Sequence, residues 1–279
     1  MIEVRGVRKK YKKSDLYAVD NISFSIRGQE IFGLLGPNGA GKTTIMGIIS
    51  SLIDPDSGTV EINGKDIAKN DKQLSGELSY VTQHISFRND MTVSQIMEFS
   101  GRLYGMSKAE IRESTEVLLK YTGLYSKKDK LARELSGGMK RALMIARAIL
   151  VRPSVLLLDE PTVGLDPFSR HHIWDLLKSL NAMGMMILIT THYIEEAENL
   201  CSRVALIDNG KLLDIDRPES MINKMGNFAV DLFDDVHTKT SFFISRKEAL
   251  DYANKSERNF NLRRTSLEDV FIQRTGKGL

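Results

Sequence analysis

Apolar positions fall into two periods along this chain. Short unbroken runs at residues 30–35, at Val155-Leu156-Leu157-Leu158 and at Met186-Ile187-Leu188-Ile189-Thr190 suit strands buried on both faces of a parallel sheet. Other stretches repeat every three to four residues. Residues 44–52 read as a helix after the first run, and Met139, Leu143, Ala146 and Leu150 share one face of another, with Lys140, Arg141 and Arg147 interleaved. Residues from about 91 to 150 read mostly as helices, with Ile96, Phe99 and Leu103 on one face and Val117, Leu118 and Leu119 in a later one. Two Asn-Gly pairs predict hairpins: Asn63-Gly64 after 59–62, and Asn209-Gly210 between 204–207 and 212–215.

These elements predict an α/β fold. Residues near 1–30 and 58–67 should form a small antiparallel sheet, while 31–52 and 151–208 build a parallel sheet with helices on its faces. After Arg217-Pro218 the texture changes to short strand candidates at Phe228–Phe233 and 241–245 and a helix over 247–254. Near the end, Thr265 and Glu268 have the spacing of a capping box, and Leu267, Val270 and Phe271 form one apolar face. The expected division is therefore 1–216, with a helical lobe at about 91–150, and an accessory α+β segment at 217–279.

Composition narrows the class. With 279 residues and 42% hydrophobic content the chain can bury a sizeable core. A net charge of +3, from 39 basic and 36 acidic residues, is too mild to imply nucleic acid. The basic stretch 5–13 reads as a solvated edge or a contact with anionic lipid. Cys201 is the single cysteine, which suits a reducing compartment and a small buried apolar role, and the five histidines show no metal-ligand spacing. The N-terminus lacks the apolar core of a signal peptide, and no stretch reaches the roughly 18 apolar residues of a membrane span.

The chemistry lies in the turns that follow the strands. Gly36-Pro37-Asn38-Gly39-Ala40-Gly41-Lys42-Thr43, followed by Thr44, is a phosphate loop between a strand and a helix. Its glycines free backbone N–H groups for phosphate oxygens, Lys42 reaches the β- and γ-phosphates, and Thr43 offers a hydroxyl to Mg²⁺. Asp159-Glu160 falls at the carboxyl end of an apolar strand, where ligands of such sheets sit. Asp159 is a candidate to hold Mg²⁺, and Glu160 a candidate to orient or deprotonate the attacking water. Ser136-Gly137-Gly138 opens a helix and forms a second anion site.

The order of these motifs resembles that of the ATP-binding cassette (ABC) ATPases over roughly residues 1–215. The resemblance implies a P-loop NTPase core with a small antiparallel β subdomain and a helical subdomain. It implies that Tyr11 stacks on adenine, with Tyr17 as the rival for that role. Gln83 is implied to touch Mg²⁺ and sense a membrane partner, and His192 to contact the γ-phosphate. Leu135-Ser136-Gly137-Gly138-Met139 looks like the signature loop that meets ATP held by an opposite subunit, and Gly164-Leu165-Asp166 like the loop crossing that interface. Met139 stands where many members carry glutamine.

The resemblance further implies an Mg²⁺-dependent ATPase that works as a dimer of cassettes beside permease subunits on separate chains, peripheral at the cytoplasmic membrane face. Docking is expected between Gln83 and Gly105, where Ile85, Phe87 and Met91 form a partner groove or simply pack into the core. Residues 191–198 and 266–272 are similar to ABC export ATPases of the drug, polysaccharide and lipid efflux type. The competing class is a soluble ABC ATPase acting on ribosomes or DNA; the short interval from Lys42 to Gly137 and the single cassette favour transport.

Overall fold

The computed structural model describes residues 1–12, 14–68, 76–233, 238–256 and 258–276, so Lys13 of the basic stretch lies outside the described residues. In chain order the elements begin β1 (Ile2–Lys10), β2 (Tyr17–Ile26), β3 (Ile31–Leu35), α1 (Lys42–Ile49), β4 (Ser57–Ile62), β5 (Lys65–Asp66) and β6 (Leu78–Val81). The helical part holds α2 (Val93–Leu103), α3 (Lys108–Tyr121) and α4 (Gly137–Ala148). Then come β7 (Val155–Asp159), α5 (Pro167–Ala182), β8 (Met186–Thr191), α6 (Ile194–Leu200), β9 (Arg203–Asp208) and β10 (Lys211–Asp216). The chain closes with α7 (Pro218–Met225), β11 (Phe228–Phe233), β12 (Thr238–Phe243), α8 (Arg246–Asn254), β13 (Phe260–Arg264) and α9 (Leu267–Thr275).

The strands form three sheets, ordered β2-β1-β4-β5, β10-β9-β3-β8-β7-β6 and β12-β11-β13. In the central sheet β9, β3, β8, β7 and β6 run parallel, and β10 is an antiparallel edge. Every residue of β3, β7 and β8 is buried, as their unbroken apolar runs require. Alternate residues then feed opposite cores. Leu156 and Leu158 join Leu143, Trp174 and Leu177 on the side of α4 and α5, whereas Val155 and Leu157 meet Ile45, Met46 and the antiparallel sheet. Both Asn-Gly turns carry φ > 0 at each central residue, 50° and 78° at Asn63-Gly64 and 49° and 74° at Asn209-Gly210, the twist a two-residue hairpin needs.

Several expectations shift in detail. α2 buries Val93, Ile96, Met97, Ser100 and Gly101, so Phe99 and Leu103 point outward, 55% and 71% exposed. The buried face is offset from the stripe of large apolar residues because Gly101 lets α2 approach α3 so closely that a Cβ there would lie 2.5 Å from Ile111 Cγ1. Strand β6 escapes the pattern because Leu78–Val81 is short and includes the buried polar Ser79. Strand β13 pairs with β11 although its residues are only partly buried.

The last helix begins one residue later than its spacing suggests. Ser266 is its N-cap, accepting from the Asp269 N–H, and the Asp269 carboxylate accepts from the Ser266 N–H at 2.8 Å. Asp269 also takes the Arg263 fork at 2.6 and 2.8 Å, and Arg263 reaches Asp231 on β11 at 2.8 Å. This tie between β11, β13 and α9 selects Ser266 over Thr265 as the cap. Leu267, Val270 and Phe271 then enter the main core, while the Leu267 N–H donates to Glu198 on α6 at 2.7 Å.

Candidate functional site

The turn between β3 and α1 is sterically committed to glycine. At Gly41 φ is +105°, and a Cβ there would fall 2.2 Å from the Ala18 carbonyl oxygen. Gly41 caps α1 without a side-chain acceptor, so the first-turn N–H groups remain available to an anion. Lys42 is only 5% exposed; its Nζ donates to the carbonyls of Gly36 at 2.8 Å and Pro37 at 3.1 Å. Burial pushes this ammonium below its ordinary range, and the charges of Glu160 and Asp159 oppose that push. A buried cation curled onto loop carbonyls suits a site that receives negative charge.

The carboxylate pair closes the other wall. Asp159 accepts from Thr43 Oγ1 at 3.3 Å, from the Tyr80 hydroxyl at 3.3 Å and from the Thr190 hydroxyl. Burial and the nearby Asp159 charge push the Tyr80 phenol up, keeping it a donor. Glu160 has a left-handed backbone, φ +48°, held by its N–H donating to Thr190 Oγ1 at 2.9 Å and Thr190 O at 3.2 Å. Its Oε2 accepts from Gln83 Nε2 at 3.0 Å, while Oε1 lies 3.2 Å from His192 Nδ1 and 3.6 Å from Lys42 Nζ.

A cleft of about 560 Å³ lies between these walls, lined by Ala18, Asn38, Gly39, Gly41, Lys42, Thr43, Thr44, Gln83, Glu160, Val163 and His192. Gly36, Pro37 and Ala40 complete the loop behind it. Tyr11 reaches the loop through a hydroxyl contact with Thr44 Oγ1 at 3.3 Å, whereas Tyr17 carries the Lys10 ammonium 5.8 Å from its ring centre. Among the described residues no group of three or more His, Cys, Asp or Glu could hold a metal. The oxygen donors Thr43 and Asp159 nonetheless fit Mg²⁺, which binds through one or two carboxylates together with phosphates and water.

Four sequence candidates lie outside this cleft. Ser136 caps α4 by accepting from the Met139 N–H at 3.3 Å, and Asp166 caps α5 by accepting from the Ser169 N–H at 3.0 Å. Gly138 packs so closely on α5 that a Cβ would lie 2.6 Å from Ser169 Oγ. Ser136 and Gly138 thus border a different hollow, shared with Phe168, Ser169 and His172. Gly137 stands at the same helix start.

Three contributors carry no motif of their own. Tyr80 and Thr190 hold Asp159, and Arg141, one of the basic residues interleaved with the apolar face of α4, is buried. Its guanidinium donates to the carbonyls of Thr82 and Gln83, each at 2.9 Å, and Arg147, further along the helix, donates to Ser86 O at 2.9 Å. Polar residues ending the apolar β8 run just before His192 were the available signal for Thr190; Arg141 gave none, since it lies opposite the stripe of Met139, Leu143, Ala146 and Leu150.

Residues 19–163 match the ABC transporter family. The chain is 37% identical, over 99% of its length and 98% of the relative's, to the Nod factor export ATP-binding protein I of Cupriavidus metallidurans. It is 39% identical to the linearmycin resistance ATP-binding protein LnrL of Bacillus subtilis, over 81% of this chain and 72% of that one. A solved dimeric ATP-binding cassette in a post-hydrolysis state with ADP and Pi superposes with a TM-score of 0.70 at 28% identity, covering 78% of this chain and 98% of that one. A P-loop cleft facing a carboxylate pair, within a sheet of this order and with these relatives, makes the chain a member of the ABC transporter family, an ATP-binding and ATP-hydrolysing subunit.

Proposed function

We propose that the chain powers an exporter from the cytoplasmic membrane face, with Glu160 directing the water that attacks ATP. The observation that carries this is the Glu160 carboxylate, fixed at the strand end with one oxygen on Gln83 and the other facing His192 and Lys42. Lys42 and the loop N–H groups take the triphosphate, Thr43 and Asp159 hold Mg²⁺, and Tyr11 stacks on the base. Mg²⁺ supplies charge neutralisation on the phosphates when bound. Gln83 and His192 orient Glu160 and contact the nucleotide's terminal phosphate region.

The signature residues Ser136, Gly137 and Gly138, with Asp166, serve a second cassette, since they stand away from this chain's own cleft. The membrane partner is a permease on separate chains; among the described residues no helix is long and apolar enough to cross a membrane. Ile85, Phe99, Leu103 and Tyr104 are exposed in the interval from Gln83 to Gly105 and form the docking face, whereas Phe87 and Met91 pack against the core. Relatives named for Nod factor export and linearmycin resistance support the outward direction. Residues 217–279 form an accessory segment, and nucleic acid is not among the partners.

Glu160→Gln keeps shape and hydrogen bonding but removes the base. Purified variant protein should bind ATP as the parent does while turnover falls by about 10²–10⁴-fold. Undiminished turnover would refute the role of Glu160.

A further inference from the structure

We infer that Glu196 is a positioning residue for ATP hydrolysis, one that joins the loop after Glu160 to the helix after His192. The inference rests on the reading of Glu160 and His192 as the hydrolytic pair. Glu196 lies on α6, four residues past His192, and is 1% exposed although it is acidic. Its Oε1 accepts from Thr162 Oγ1 at 2.9 Å and from Trp174 Nε1 at 3.1 Å. Thr162 is itself fully buried and stands two residues after Glu160, on the stretch leading to Asp166. Trp174 belongs to α5, whose N-cap is Asp166.

One carboxyl oxygen therefore pins three pieces of chain: the turn carrying Glu160, the helix beginning at Asp166, and the segment carrying His192. Burial pushes the Glu196 carboxyl above its usual range, and the Thr191, Thr162 and Trp174 donors pull the other way. Such a group is costly to bury, and an apolar side chain would pack more cheaply beside Ala197 and Leu200. What the carboxyl provides instead is directional acceptance of two buried donors. The spacing between His192 and Glu160, 3.2 Å from Nδ1 to Oε1, depends on how the turn after Glu160 and the segment after His192 are held together, and Glu196 joins the two through Thr162.

Neighbouring contacts on α6 are weaker alternatives. Glu195 pairs with Arg170 at 3.3 Å, and Arg170 also lies 4.8 Å over the Tyr193 ring, but Glu195 is exposed. Only Glu196 among these reaches the segment directly after Glu160.

The test compares Glu196→Leu, Glu196→Gln, Thr162→Val and Glu160→Gln, measuring kcat, KM and nucleotide Kd for each. Glu196→Leu should lower kcat by about 10- to 100-fold, the scale of a misplaced catalytic group, with Kd for ATP within about twofold of the parent. Glu196→Gln retains the acceptor oxygen and should restore most of kcat. A kcat for Glu196→Leu within twofold of the parent overturns the inference. So does a Gln variant no better than Leu, or a parallel loss of Kd and kcat, since either marks general damage. Should Glu196→Leu fail to fold, Thr162→Val removes one donor alone and is judged by the same kcat and Kd criteria. Glu160→Gln separates the two readings: if it turns over normally the hydrolytic pair is wrong, whereas an inactive Glu160→Gln beside a normal Glu196→Leu sinks only the positioning role.

Discussion

The backbone N–H of Glu160 donates to the Thr190 hydroxyl at 2.9 Å, and that hydroxyl in turn donates to Asp159. One buried side chain on β8 thus sets both acids at the end of β7. Thr190→Val keeps the shape and removes the link. It should destabilise the protein by about 1–3 kcal/mol, because a buried acceptor loses its donor, and it should lower turnover. Denaturant titration with a parallel ATPase assay checks both; unchanged values would show that the hydroxyl is dispensable.

Lys42 should matter to the fold without nucleotide and to binding with it. Its buried ammonium faces Glu160 and donates to two loop carbonyls, so Lys42→Met leaves those groups unpaired and should lower the thermal midpoint of the nucleotide-free protein. The upward shift that ATP gives the parent by mass action should disappear. Scanning calorimetry with and without ATP reads the two effects separately, and a retained ATP shift would remove Lys42 from phosphate binding.

The separation of Ser136 from the cleft predicts complementation between chains. A Lys42→Ala chain lacks a working phosphate loop, and a Ser136→Arg chain lacks a working signature loop. Their mixed dimer holds one intact pairing, so ATPase activity should appear that neither variant shows alone. Given an active parent homodimer and verified mixed dimers, absence of recovered activity counts against a shared site.

Much of this was legible because loop chemistry leaves fixed spacings. The phosphate loop, Asp159-Glu160 and the Asn-Gly hairpins are each local patterns, and local sterics enforce them, as Gly41 against Ala18 illustrates. The supporting contacts were not legible, because their partners are distant in sequence: Tyr80 meets Asp159, and Arg141 meets Thr82 and Gln83. Arg141 read only as one of the basic residues interleaved with the apolar face of its helix, yet main-chain carbonyls satisfy its guanidinium inside. The late start of α9 has the same origin, since Thr265 and Ser266 are equivalent caps until Arg263 engages Asp269.

That Arg263 contact gives the C-terminal segment a pH signature. Burial raises the Asp269 carboxyl, but the Arg263 fork and the Ser266 N–H outweigh it and leave the pKa lowered. A folded-state value below the unfolded one, about 3.9 for Asp, adds stability above that pH and loses it as pH falls through the folded value. Asp269→Asn should therefore be less stable than the parent at pH 7, with the gap narrowing below about pH 4. Urea midpoints across this range measure it; a constant gap would assign the loss to packing alone.

Arg141 and Arg147 fasten the segment from Thr82 to Ser86 along α4 by three hydrogen bonds to main-chain carbonyls, contacts that do not depend on which side chains the segment carries. Side-chain substitutions within the segment would therefore leave that fastening intact. In the proposed transporter a push on it from a membrane partner would reach Gln83, beside this chain's own carboxylate, and, through α4, the glycine pair that begins that helix. In the proposed dimer each chain would couple the nucleotide it holds to the half-site it lends, so two paired copies would sense a single event as one assembly.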